Sequence, residues 1–187
     1  MGWLLWTVAG IVGLLVLAGL VLWLLGRGLP PGHVVSATLR LGRPVEEVWG
    51  VLADTAGVPA WDKGVDRVER LPDREGRETW RWTMGRNSMV LETTRSEAPR
   101  LLVRTIADEA KFFSGDWTYE LSPVGNGCTV ELTEHGRVHV AIPRAMMRYL
   151  PAVADPAMYL KRHLERLAGR FGEAPRVEVG EYRLAEG

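Results

Sequence analysis

The chain has 187 residues, with 23 basic and 23 acidic side chains and no net charge. That balance excludes the basic surplus a general nucleic-acid binder needs. Its single cysteine, Cys128, excludes an internal disulfide framework and fits a reducing compartment. No internal repeat or long low-complexity tract is visible.

The first 26 residues carry no charged side chain, and residues 3–25 form one apolar run. A helix of that length, at ~1.5 Å per residue, crosses a hydrocarbon core of ~30 Å. Trp3, Trp6 and Trp23 sit near its two ends, where indole rings favour the membrane–water boundary. A cleaved signal peptide would have a basic start and a shorter apolar stretch, and a buried core helix would keep one polar face. The expectation is a retained single-pass anchor over residues 1–26, with membrane lipids as its surroundings. Arg27, Arg40 and Arg43 follow the run closely, so the positive-inside rule puts the rest of the chain in the cytoplasm. Ala9 and Gly13 are spaced for helix pairing, although ordinary small residues in a membrane helix explain them more simply.

Residues 27–33, rich in Gly and Pro, read as a linker. From residue 34 the pattern alternates as a strand, with Val35, Ala37, Leu39 and Leu41 on one face. Pro44 then suits the first helical position. Val45, Val48, Trp49 and Leu52 give the short helix that follows one apolar face. Residues 55–61 read as a turn or second short helix. Six strands are predicted next, at 65–71, 77–84, 88–96, 101–107, 115–122 and 128–140. An Asn-Gly pair sits in the hairpin loop at 123–127, and Gly136 marks a bulge or bend in the last strand. A short helix at 143–150 leads to a longer one, which Asp155 caps and Pro156 opens. Ala157, Leu160, Leu164, Leu167, Ala168 and Phe171 form its apolar stripe. Residues 174–187 read as a loose tail in which 177–184 has strand character. This order predicts an α+β domain over residues 34–173: a curved antiparallel sheet against the last helix, with a cavity wherever the two do not close tightly.

Three stretches, PVEEVWGVLADTAGVPAWDKGVDRVERL, FFSGDWTYELSPVGNGCTVELTEHGRV and YLKRHLERLAGRFGE, resemble the START-like (SRPBCC) superfamily. That superfamily includes polyketide cyclase/dehydrase and lipid-transport domains. The resemblance implies a helix-grip fold with an internal pocket for hydrophobic molecules. It implies no particular reaction, because one fold hosts many, and no catalytic residue carries over by motif.

Strand phase turns Trp80, Trp82, Met84, Trp117, Tyr119, Leu121, Val130 and Leu132 toward that pocket, where they either wall a ligand or fill the core. Glu134 continues the same phase and is an acid–base or ligand-orienting candidate, and Tyr119 is the second acid–base candidate. The plainer alternative is that Gly136 shifts the register and lets Glu134 reach solvent. A metal site is not expected: His135 and His139 lie ~13 Å apart on a strand, and His33 and His163 have no ligand-spaced partner. No cofactor motif is present. Asp54 and Asp62 read as surface caps. Arg144, Arg148, Lys161, Arg162, Arg166 and Arg170 concentrate positive charge near the C-terminus. Arg162, Arg166 and Arg170 either face anionic lipid or form a solvated helix face, the simpler reading. Three functions remain open: a tethered module that binds or transfers a lipid or other hydrophobic small molecule, gated at residues 151–155; a cyclase- or dehydratase-type enzyme; or a partner-binding module with a filled core.

Overall fold

The computed structural model describes residues 2–107, 112–150 and 155–185. The proposed gate at 151–155 therefore lies, apart from Asp155, outside the described residues. An apolar helix, α1 (Gly2–Arg27), precedes the domain. It is exposed along nearly all of its length and is long and apolar enough to cross a membrane. The domain begins with β1 (Gly32–Leu41), α2 (Val45–Ala53), a 3₁₀ turn (Thr55–Gly57) and α3 (Val58–Trp61). Strands β2 (Arg67–Arg74), β3 (Arg77–Met84), β4 (Asn87–Glu97), β5 (Leu101–Ile106), β6 (Phe113–Val124) and β7 (Gly127–Val138) follow. Helices α4 (Ala141–Tyr149) and α5 (Pro156–Arg170) and two short strands, β8 (Val177–Val179) and β9 (Arg183–Ala185), complete it.

The sheet is antiparallel and curved, in the order β2-β3-β4-β5-β6-β7-β1-β8, with β9 also paired to β1. Short turns join β2 to β3, β3 to β4, β4 to β5 and β6 to β7, so these strands pair in chain order. Gly125 (φ 59) takes the left-handed position of the β6–β7 turn. The two-residue loop is therefore Gly125-Asn126, with Val124 opposite Gly127, and not the Asn-Gly pair one residue on. The tail is no loose end, since β8 and β9 extend the sheet along β1.

Helix α5 lies in the hollow of the sheet. Asp155 Oδ1 accepts from Ala157 N–H at 2.9 Å, and Pro156 sits in the first turn, so the helix starts where capping chemistry places it. Leu160, Leu164 and Leu167 are fully buried in one cluster with Val35, Ala37 and Leu39 of β1, Leu121 of β6, and Val130 and Leu132 of β7. Cys128 is buried in the same cluster. Arg104 of β5 is buried too: its guanidinium donates to Leu52 O (2.8 Å) and Thr55 Oγ1 (2.7 Å) and lies over the rings of Trp82 and Tyr119. The aromatic faces and these two acceptors offset part of the cost of desolvating that cation.

The β6–β7 and β1–β7 registers run without interruption through Gly136, so the expected bulge is absent. Gly136 lies opposite His33 in β1, and a Cβ there would sit 2.2 Å from the His33 ring. The glycine makes room for an imidazole and leaves the strand pairing intact.

Candidate functional site

The register builds a recess at one end of the sheet. Gly115 of β6 and Gly136 of β7 are cross-strand partners and both line it. The cavity is about 50 Å³, with walls from Ile106, Phe113 and Trp117 and polar groups from His33, Asp116, Glu134 and Arg137. Gly115 has φ 151, and a Cβ there would meet the His135 carbonyl oxygen at 2.2 Å; both features confine the position to glycine.

Glu134 stands at the floor. It faces Trp117 across the β6–β7 ladder, and the Trp117 indole N–H donates to Glu134 Oε2 at 2.8 Å. His33 Nε2 lies 2.9 Å from Oε1, with side-chain exposures of 5% for His33 and 17% for Glu134. An ionised Glu134 accepts here, so His33 carries its proton on Nε2. The His33 ring stacks on Tyr182 of the C-terminal tail, 5.6 Å between centroids. The carboxylate is thus inward and doubly held, with lone pairs left for a ligand.

Trp117 and Glu134 border the recess, whereas Trp82, Tyr119, Leu121, Val130 and Leu132 are packed into the core with Trp80 and Met84 against them. Tyr119 serves a different cluster. Its hydroxyl lies 3.1 Å from His163 Nε2, and His163 Nδ1 lies 2.5 Å from Asp62 Oδ2. Arg166 donates to Asp62 Oδ1 at 2.6 Å, and Gly64 N–H to the same oxygen at 2.8 Å. The His163 Nδ1–H donates to an ionised Asp62, which leaves Nε2 to accept from the Tyr119 hydroxyl.

This cluster corrects one expectation: Asp62 is fully buried and is no surface cap. His163, expected to have no partner at metal-ligand spacing, hydrogen-bonds with Tyr119 and Asp62. Burial pushes the Asp62 carboxyl up, but His163, Gly64 N–H and Arg166 together hold it below its ordinary value. Burial pushes the Tyr119 phenol up to about 12. Asp54 does cap the 3₁₀ turn, accepting from Gly57 N–H at 3.1 Å. Arg162 and Arg170 are exposed, while Arg166 turns in to Asp62. His135 pairs with Asp116 at 3.2 Å and His139 with Ser114 at 3.0 Å. Among the described residues no His, Cys, Asp and Glu cluster has metal-ligating geometry.

Sequence reasoning missed His33, Gly115, Asp62 and His163 as members of these clusters. His33 meets Glu134 across 101 residues, as does Asp62 with His163, so no local spacing could signal either pair. A wider groove of about 400 Å³ between Arg40, Gly42, Glu173 and Arg176 lies at the other end of β1.

A curved antiparallel sheet closed on a C-terminal helix, with a recess at one end, defines a START-like domain. The chain belongs to the family described as polyketide cyclase / dehydrase and lipid transport, whose model matches residues 32–172. Its fold is similar to that of a START superfamily protein from Mycobacterium smegmatis. The two share 16% identity at a TM-score of 0.61, over 74% of this chain and 96% of that one. It is also similar to the Zhui aromatase/cyclase from Streptomyces sp. R1128, at 18% identity and TM-score 0.57, covering 75% of this chain and 96% of that one. A conserved protein from Geobacillus kaustophilus aligns at 16% identity and TM-score 0.59, over 78% and 99% of the two chains. No curated protein sequence matches the chain.

Proposed function

We propose that the protein is a membrane-anchored binder of a hydrophobic small molecule, which it takes by one end into the recess above Glu134. The carrying observation is the recess itself: apolar walls from Ile106, Phe113 and Trp117 around a carboxylate with free lone pairs. Few convergent polar groups in an apolar wall are what a small-molecule site needs. Helix α1 supplies the anchor in this reading, and a tether raises the domain's concentration near a membrane source of ligand. At about 50 Å³ the recess is far below the ~300–1,000 Å³ of a pocket that encloses a drug-sized ligand. It therefore grips a head group or chain end and leaves the body of the molecule outside. Membership of a family that includes lipid-transport domains agrees with this reading.

The test is native mass spectrometry of the full chain released from lipid nanodiscs, followed by titration with a long-chain alcohol carrying a fluorescence quencher. A retained apolar molecule and quenching that E134Q weakens about tenfold, a change of ~1.4 kcal/mol, support the proposal. The exposed-residue control E120Q should behave as wild type. No retained molecule, or equal titration of both variants, rejects it.

A second reading, a cyclase- or dehydratase-type enzyme, is favoured by one observation: His33 gives Glu134 a partner for proton transfer at the recess. Turnover of a β-keto thioester, lost in both E134A and H33A, would establish it. The Tyr119 hydroxyl lies 3.1 Å from His163 Nε2, and Tyr119 is not among the residues that line the recess.

A further inference from the structure

The last turn of α1 is fastened to the domain through one helix. Gly26 is the one buried position of α1, and a Cβ there would lie 1.8 Å from the Ala141 carbonyl oxygen at the start of α4. Backbone meets backbone at this point, which only glycine permits. The Arg144 guanidinium donates to Leu29 O at 2.8 Å and ties α4 to the chain just beyond α1. Gly19 and Leu22, less exposed than their neighbours, fall on the same face of α1 as Gly26.

That attachment fixes the level of α4. Trp23, with the Arg27 guanidinium 4.7 Å above its ring, marks the boundary where an apolar helix meets headgroups. Gly26 lies about 5 Å along the axis from Trp23 at ~1.5 Å per residue, so Ala141 is held at the same depth. Around α4 are large apolar side chains with their surfaces open: Tyr149 is 48%, Leu150 42% and Phe112 61% exposed. Phe112 belongs to the same end, since its carbonyl accepts from His139 N–H just before α4. Arg148 is exposed among them.

We propose that α4, with Tyr149, Leu150 and Phe112, is an interfacial helix that lies in the headgroup layer of the bilayer. The inference rests on α1 being a membrane anchor. A mixed apolar and cationic surface is what such a helix presents to lipid. Arg170 belongs to the opposite end: α5 finishes next to Glu173, which binds Gly42 and Arg43 beyond the far end of β1, some 33 Å from Gly32 at ~3.3 Å per residue. The Glu134 recess, lined by His33 and Phe113, then opens beside the headgroups, and a ligand passes to it from the bilayer.

The experiment uses the full chain in vesicles of phosphatidylcholine and phosphatidylglycerol. An environment-sensitive fluorophore is attached at L150C or, as control, at R170C, while the buried Cys128 stays unlabelled. Lipids spin-labelled near the headgroup should quench the L150C probe several-fold more than the R170C probe. Equal quenching at both sites overturns the proposal. Alkaline carbonate extraction reports on α1 separately: if the chain is extracted, the anchor reading fails and the inference falls with it. Retention together with an unquenched L150C probe sinks the inference alone.

Discussion

His33 and Gly136 show how much one missing methyl decides. The imidazole lies across the glycine and reaches Glu134 at 2.9 Å while stacked on Tyr182. In G136A the new Cβ would stand 2.2 Å from a ring held on both sides, so relief requires breaking the Glu134 contact or the stack. A cost of about 1–3 kcal/mol is expected for such overpacking, read as a lower urea midpoint with unchanged slope. Loss of the His33–Glu134 bond should appear in the imidazole NMR resonances. A G136A protein with wild-type stability and unaltered His33 signals would show that the recess is looser than described.

At the scale of the element, α5 joins the two halves of the domain. Its apolar stripe enters the sheet through Leu160, Leu164 and Leu167, all with no exposed surface. Its polar face reaches Asp62 just beyond α3 through His163 and Arg166. The ion-paired contact to Asp62 and the Tyr119 hydroxyl to His163 set its position against β6. L164A removes a side chain that is completely enclosed, and about 2–5 kcal/mol of stability should go with it, measured by urea denaturation. A loss below 1 kcal/mol would mean that the helix readily resettles onto the sheet.

The whole molecule carries a pH signature from the same buried cluster. Asp62 has its carboxyl held below the ordinary 3.8 in the fold, so the unfolded chain binds more protons on acidification. Its contribution is present above the unfolded value and is lost as pH falls through the folded one. Tyr119 works in the opposite sense. Its phenol moves from 10.0 to about 12, so its contribution is intact below 10 and is lost as pH rises toward 12. Folding free energy should therefore fall at both extremes. In D62N the acid limb should flatten, while the alkaline limb, set chiefly by burial of Tyr119, should persist in weaker form because the Asp62 charge no longer helps to raise the phenol, as followed by denaturation across pH. An acid limb as steep in D62N as in wild type would remove Asp62 from the account.

Periodicity and end chemistry determined much of this protein. The alternation of β1 and β3 and the stripe of α5 with its Asp155 cap are legible within their own stretches of chain, because they depend on which side chains share a face, and the apolar run of α1 is legible from its length alone. Glu134 too could be placed inward by strand phase alone, although not with its partners. What the inward faces enclose follows from long-range packing. Whether Trp82 and Tyr119 wall a pocket or fill the core depends on how closely α5 approaches the sheet. The small recess gathers residues of β1, β5, β6 and β7, with Gly115 and Gly136 made neighbours through strand pairing. The His33 contact to Glu134 and the His163 contact to Asp62 each join residues 101 positions apart. Short-range pattern specifies elements because local backbone geometry repeats; a site is assembled by long-range register and packing, which no local repeat encodes.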